Sequence, residues 1–198
     1  MTPDDRQRLE KFYTEALQKY GPDHPKSVHW LGLRSQLMRF DALTKIADLS
    51  GQAILDVGCG LGDLYDFLQT RFSGFSYTGI DLVPDMVKQA RAKYPDANFE
   101  SGDIFSMKTN YDYLLASGSL TFHVSGGPEY YYKMIRRMYR LARKGVAFNM
   151  LDQAFYTTDS DYLAYDPVEV LGICGTITSK IKLMDDYLEG DFTVYLYK

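Results

Sequence analysis

The 198-residue chain is poor in cysteine, histidine and tryptophan, with two, three and one of them. Two cysteines, Cys59 and Cys174, cannot build the disulfide framework of a small secreted domain. No Cys/His cluster has metal-ligand spacing, so no metal is expected. No apolar run approaches the ~20 residues of a membrane helix, and Met1-Thr2-Pro3-Asp4-Asp5-Arg6 is too polar for a secretory signal. A cytoplasmic location and no membrane partner are the expectations. Excess positive charge is missing too. The net charge of −4 and pI near 5.4 do not favour nonspecific attraction to nucleic acid. Internal repeats and low-complexity tracts are absent. With 45% hydrophobic and 24% charged residues, the chain has ordinary material for one soluble core, and its length suits a single domain, 1–198.

The most informative segment runs Ala53-Ile54-Leu55-Asp56-Val57-Gly58-Cys59-Gly60-Leu61-Gly62-Asp63. An apolar run reads as a buried parallel strand, a glycine-rich turn follows, and Leu64 to Phe72 reads as an amphipathic helix. Glycines at 58, 60 and 62 let the backbone pass beside a ligand where a Cβ would clash. Such a site sits at the carboxyl end of the first strand of an open α/β sheet. A dinucleotide fingerprint is Gly-x-Gly-x-x-Gly, and here the last glycine comes one residue early. Asp56 and Asp63 flank the turn and would repel a diphosphate. A ligand with a cationic end and no phosphate fits better.

Downstream, Ser76-Tyr77-Thr78-Gly79-Ile80-Asp81 reads as a second strand ending in an acid. A carboxylate there stands at the spacing expected for an acceptor of both ribose hydroxyls. Pro84 opens the next helix, where its missing N–H costs nothing. A third strand, Asn98 to Ser101, leads into Gly102-Asp103-Ile104, and a fourth, Tyr111 to Ala116, into Ser117-Gly118-Ser119.

Ile54 to Gly62 closely resembles motif I of the class I S-adenosylmethionine (SAM)-dependent methyltransferases, small-molecule type, and the order of strand tips agrees over about residues 50 to 150. The resemblance implies SAM as cofactor and S-adenosylhomocysteine (SAH) as product. It assigns Asp56 and the Gly58, Cys59, Gly60, Gly62 turn to the methionine end, Asp81 with Leu82 to the ribose, and Asp103 with Ile104 to adenine. Ser117 and Gly118 take the amino-acid moiety through main-chain groups. It often places a basic residue upstream to pair with the SAM carboxylate. Arg34 is chosen, because a guanidinium grips a carboxylate bidentately; Arg39 competes, and either reads equally as a solvated helix residue.

The rest of the chain supports an α/β, Rossmann-like fold. Helices are expected over about Pro3 to Tyr20, Gly32 to Leu49 and Glu129 to Arg143. The last places Met134, Ile135, Met138, Leu141 and Ala142 on one face, and Lys133, Arg136, Arg137, Arg140 and Lys144 on the other. A fifth strand spans Gly145 to Met150. Residues 182–187 and 192–197 are close enough to pair only antiparallel. The resemblance implies a seven-stranded, mostly parallel sheet of order 3-2-1-4-5-7-6, helices on both faces, and this C-terminal hairpin. Residues 1–49 form an N-terminal helical cap and 151–178 an insertion or lid.

His123, after the fourth strand, is the candidate general base; the alternative is a loop histidine bonded to backbone. The insertion's Asp152, Phe155, Tyr156, Tyr162 and Tyr165, with Tyr187 nearby, form either an acceptor pocket or ordinary packing. His29 and Trp30 either close over the acceptor or, for Trp30, join the core. The expected partner is a small-molecule acceptor. No nucleic-acid motif follows strand four, and the basic helix face reads as solvated, so nucleic acid is not expected. Two other functions stay open: a non-catalytic SAM-binding module, and a tRNA or protein methyltransferase. Asp81→Ala should lower SAM affinity about tenfold or more with little unfolding. Calorimetric titration checks it, and unchanged affinity would remove the ribose assignment.

Overall fold

A computed structural model of the chain describes every residue except Leu31 and Ser160. Seven strands form one sheet: β1 (Ala53–Val57), β2 (Ser76–Asp81), β3 (Asn98–Ser101), β4 (Tyr111–Ala116), β5 (Ala142–Leu151), β6 (Ile181–Met184) and β7 (Asp191–Tyr197). Their order is 3-2-1-4-5-7-6. The first five are parallel, and β7 runs antiparallel between β5 and β6. The helices are α1 (Pro3–Tyr20), α2 (Leu33–Thr44), α3 (Asp63–Gln69), α4 (Pro84–Lys93), α5 (Gly127–Leu141) and α6 (Pro167–Gly175).

The central strands are apolar on both faces because each face is covered. Alternation divides their side chains between two cores. Leu55, Val57, Leu114, Ala116, Val194 and Leu196 pack with Ile135 and Met138 of α5. Ile54, Tyr113, Leu115 and Tyr195 pack with Phe40 and Leu43 of α2 and Phe67 and Leu68 of α3. The expected apolar face of α5 is buried throughout, with Ile135 and Met138 fully so. Part of its basic face is structural: Arg137 donates to the carbonyls of Ile104 and Met107, and Arg136 to the Thr176 hydroxyl.

Several boundaries differ from the sequence reading. Helix α2 ends at Thr44 rather than Leu49. The Thr44 hydroxyl donates back to the Phe40 and Asp41 carbonyls, a bond that competes with helix continuation. Helix α3 stops at Gln69 rather than Phe72. Helix α5 gives way at Ala142, which already pairs with Tyr111, so β5 starts earlier than the expected Gly145. Strand β6 stops at Met184, which puts residues 185–187 in the connection to β7. The insertion holds α6, whose nine residues are too short for periodicity to announce.

Helix α1 is fastened at its start. Thr2 and Asp5 form a reciprocal capping box, and the same Asp5 carboxylate accepts from Ser125 N–H (3.0 Å) and Oγ (2.8 Å). Burial pushes this carboxyl up, but the hydrogen bonds from Thr2 and Ser125 outweigh it and hold it at about 2. The helix is thereby tied to the loop after β4.

A second clasp joins α2 to β7. Arg39 grips Asp191 bidentately, Nε to Oδ1 at 2.9 Å and Nη2 to Oδ2 at 2.8 Å, and its guanidinium lies 4.6 Å from the Trp30 ring centroid. Both partners are buried. Removing one strands the other's charge, so Arg39→Met should cost about 3 kcal/mol. The double variant Arg39→Met/Asp191→Leu should recover most of that loss. Chemical denaturation of the three proteins measures both quantities.

Candidate functional site

All five parallel strands present their carboxyl ends at one edge of the sheet, and the β1–α3 turn opens the site there. Gly58, Gly60 and Gly62 have φ of +79°, +52° and +82°, left-handed conformations that disfavour a side chain. A Cβ on Gly58 would also run into the Ser119 side chain, and one on Gly62 would stand 2.8 Å from the Phe99 ring. The turn is held from β2. The N–H groups of Gly58 and Cys59 donate to the Ile80 carbonyl at 2.8 and 3.0 Å, and Gly60 N–H donates to Asp81 Oδ2 at 2.8 Å. Asp81 Oδ1 accepts from Val83 N–H at 2.8 Å. Burial raises the Asp81 carboxyl, while the N–H groups of Val83, Gly60 and Leu82 pull it back.

A cavity of about 330 Å³ runs along these tips. From the strand side it is lined by the glycine turn with Asp56 and Cys59, by Asp81 and Leu82, by Asp103 and Ile104, and by Ser117 and Gly118. Asp103 also accepts from Phe105 N–H at 3.0 Å. The Ser117 hydroxyl donates to Asn149 Oδ1 at 2.8 Å. Asp56 is buried and accepts from the Tyr77 hydroxyl at 2.7 Å. Burial pushes its carboxyl up to about 7; the Tyr77 bond lowers it, and the charges of Asp81 and Asp63 raise it further. The Cys59 thiol, pushed well above its ordinary value by burial, is an unreactive wall group.

The opposite wall comes from the N-terminal segment and the insertion. Leu9 and Tyr13 of α1, then His29 and Trp30, then Gln36 and Arg39 of α2 face the strand tips, joined by Tyr156 and Tyr162. The Trp30 ring stands 3.0 Å from where a Cβ on Gly118 would be. Gln36 donates to Asp63 at 3.0 Å, and Lys93 pairs with the same carboxylate at 2.9 Å. Tyr13 bears on the cavity with no sequence signal beyond its residue type, whereas His29 and Trp30 stand in the wall, where the sequence reading allowed them to close over an acceptor.

Two candidates from the sequence lie elsewhere. Arg34 is exposed on α2 and is not part of the cavity wall, whereas Arg39 is, with its guanidinium committed to Asp191. His123 is also outside that wall. Its Nδ1 meets the Asp159 carbonyl and its N–H donates to the Asp161 carbonyl at 2.9 Å, which is the backbone-bonded alternative. Of the insertion's aromatic residues, Tyr156 and Tyr162 reach the cavity, Tyr165 is buried with its hydroxyl on the Leu120 carbonyl, and Phe155 is exposed. Asp152 and Tyr187 lie outside the cavity wall; Asp152 accepts from Ala154 N–H, and the Tyr187 hydroxyl meets Thr193.

The donor set fits an adenosyl sulfonium. Three carboxylates, Asp56, Asp81 and Asp103, stand along the strand tips, and the turn's three glycines leave room for a ligand beside them. A family model described as a methyltransferase domain matches residues 54–145. A protein of Mycobacterium tuberculosis named as a methyltransferase is 30% identical over 155 residues, 74% of this chain and 93% of that one. Trans-aconitate 2-methyltransferase of Rhizobium meliloti is 41% identical over 64 residues, 32% of this chain and 25% of that enzyme's length. The chain thus spans only about a quarter of that relative. Among solved structures, the SAM-bound magnesium protoporphyrin IX methyltransferase of Synechocystis has the same fold. Its TM-score is 0.74 at 15% identity, covering 100% of this chain and 98% of that one.

The chain belongs to the class I SAM-dependent methyltransferases. SAM is the cofactor of this class, and a neighbour of the same fold holds SAH.

An Asp56 that meets the cationic end of the cofactor would make binding pH-dependent, because burial pushes its carboxyl up to about 7. Below about 7 its carboxyl is protonated, whereas a cation selects the ionised form. SAM affinity should therefore rise with pH and level off above about 7, with a slope near tenfold per unit on the acid side for one linked proton. Asp56→Asn should flatten this dependence. Titrations between pH 5.5 and 8.5 (roughly the stable range of most domains) compare the two.

Proposed function

We propose that the protein transfers the SAM methyl group to a small-molecule acceptor bound under α1 and the insertion. The observation that carries this reading is the enclosure of the strand-tip cavity by Tyr13, His29, Trp30, Tyr156 and Tyr162. A largely aromatic wall suits a small, flat or apolar molecule. A polymer would need an open, positively charged face, and Arg136 and Arg137 are partly committed to internal bonds.

Asp81 would hold the ribose hydroxyls, with Leu82 beside the sugar. Asp103 would accept the adenine amine, and Ile104 would pack against the ring. Gly58, Cys59, Gly60 and Gly62 would pass the methionine end by their backbone, with Asp56 beneath as counter-charge and Ser117 and Gly118 offering main-chain groups. The cofactor supplies an electrophilic methyl group. The chain's task is to orient the acceptor in line and exclude water, and such positioning contributes several kcal/mol, on the order of 7 in favourable cases. Among the names of relatives, ubiquinone biosynthesis O-methyltransferase of Xylella fastidiosa, 39% identical over 84 residues, and trans-aconitate 2-methyltransferase both denote methylation of small molecules, which supports the reading.

Incubation with methyl-labelled SAM and a fractionated cell extract tests it. Label should enter the small-molecule fraction with matching SAH release. Label found in RNA or protein would move the acceptor to that class. Intact SAH binding with no transfer would leave a binding module without catalysis.

A further inference from the structure

We propose that His29 accepts the proton of a phenol-type hydroxyl on an uncharged aromatic acceptor. This rests on the methyl-transfer reading above and names the substrate class within it. His29 is the one non-glycine residue with positive φ (+58°) among the described residues. Strain of this kind is retained where the surrounding structure over-determines it, often at a working site. His29 is half-buried and lines the cavity. Its edge-on neighbour Tyr13 is near enough to Asp81 to feel its charge, and the next residue, Trp30, rests on Gly118.

The ring is also set in one tautomer. It stacks on Phe12 at 3.8 Å with 9° between planes and meets Tyr13 edge-on at 5.4 Å. Its Nε2 faces the Phe12 carbonyl at 3.3 Å. A carbonyl only accepts, so the proton is on Nε2 and Nδ1 keeps its lone pair. The titratable groups near it are the neutral Tyr13 phenol from α1 and the Asp161 carboxylate from the insertion. Burial lowers its basicity, partly offset by the Phe12 carbonyl and Asp161, so the ring is neutral and ready to accept at pH 7.

The charges around the cavity select the acceptor. Among the described residues the wall carries six carboxylates, Asp56, Asp63, Asp81, Asp103, Asp159 and Asp191, and one guanidinium, Arg39; Asp63 is paired with Lys93 and Asp191 with Arg39, so no cation is left over to hold an anionic acceptor. A carboxylate acceptor would be repelled and needs no base. A phenol enters uncharged, stacks on the aromatic wall, and must lose a proton. That proton passes from the hydroxyl to Nδ1. The oxygen's electron pair forms the new O–CH3 bond, the carbon–sulfur bond breaks with its pair left on sulfur, and SAH and an aryl methyl ether result. The imidazolium then returns the proton to water.

The probe is catechol, uncharged at pH 7, titrated by calorimetry into protein saturated with SAH, and then offered with labelled SAM. Wild-type protein should bind and methylate it. Excess trans-aconitate should neither compete nor be methylated. His29→Asn keeps a residue suited to the left-handed backbone. It should retain SAH affinity and far-UV circular dichroism, lose about tenfold in probe affinity, and lose about a hundredfold in transfer rate at pH 7. Raising the pH to ionise the probe should restore much of that rate. The proposal is overturned if SAH-bound protein does not take up the probe. It is equally overturned if trans-aconitate binds in the probe's place, or if His29→Asn matches wild type in affinity and rate. Loss of SAH binding in the wild type would instead sink the methyl-transfer reading itself.

Discussion

The Asp81 carboxylate ties together the tips of two strands. One oxygen takes the Gly60 N–H of the turn after β1, and the other takes the Val83 N–H just beyond β2. Each oxygen keeps a lone pair, so the group that fixes the turn can also accept a sugar hydroxyl. Burial works against the charge, and the backbone donors offset it. The left-handed glycines follow from this arrangement, because the chain must fold back sharply onto Ile80 and Asp81 while leaving the cavity clear.

The sheet supplies the rest of the frame. Parallel strands deliver their carboxyl ends to one edge, and alternation sends neighbouring side chains into separate cores. Asp56 shares the face of Ile54, where Tyr77 can reach it. The cavity roof is held by long-range polar clasps more than by local preference. Asp5 to Ser125 ties down α1, Arg39 to Asp191 ties down α2, and the Tyr165 hydroxyl ties the insertion to Leu120. The interior so enclosed is rich in carboxylates, which complements a sulfonium and disfavours an anion.

Much of this was legible along the chain. The strand–glycine turn–helix unit, Asp81 and Asp103 at successive strand ends, and the apolar face of α5 are local patterns of two or 3.6 residues. The choice between Arg34 and Arg39 was not. Five residues along a helix is a rotation of about 140°, so the two point to different sides, and only the position of α2 on the sheet reveals which side meets the cavity. His123 follows β4 where the cavity begins, yet a hydrogen-bond partner 36 residues away, Asp159, turns its ring to the insertion. Along the chain His29, with Trp30, was one reading among alternatives; the contacts that hold its ring come from Phe12 and Tyr13 of α1.

The sequence by itself determined the parallel sheet, its helices, and the row of acids and glycines at the strand tips, because each depends on neighbours within a few residues. Tertiary structure decided which side chains roof the cavity, which arginine is consumed in an ion pair, and which histidine bears on the ligand space. Those outcomes depend on contacts between segments distant along the chain, 17 residues for His29 with Phe12, 36 for His123 with Asp159 and more than a hundred for Arg39 with Asp191 and Asp5 with Ser125, and no local periodicity encodes them.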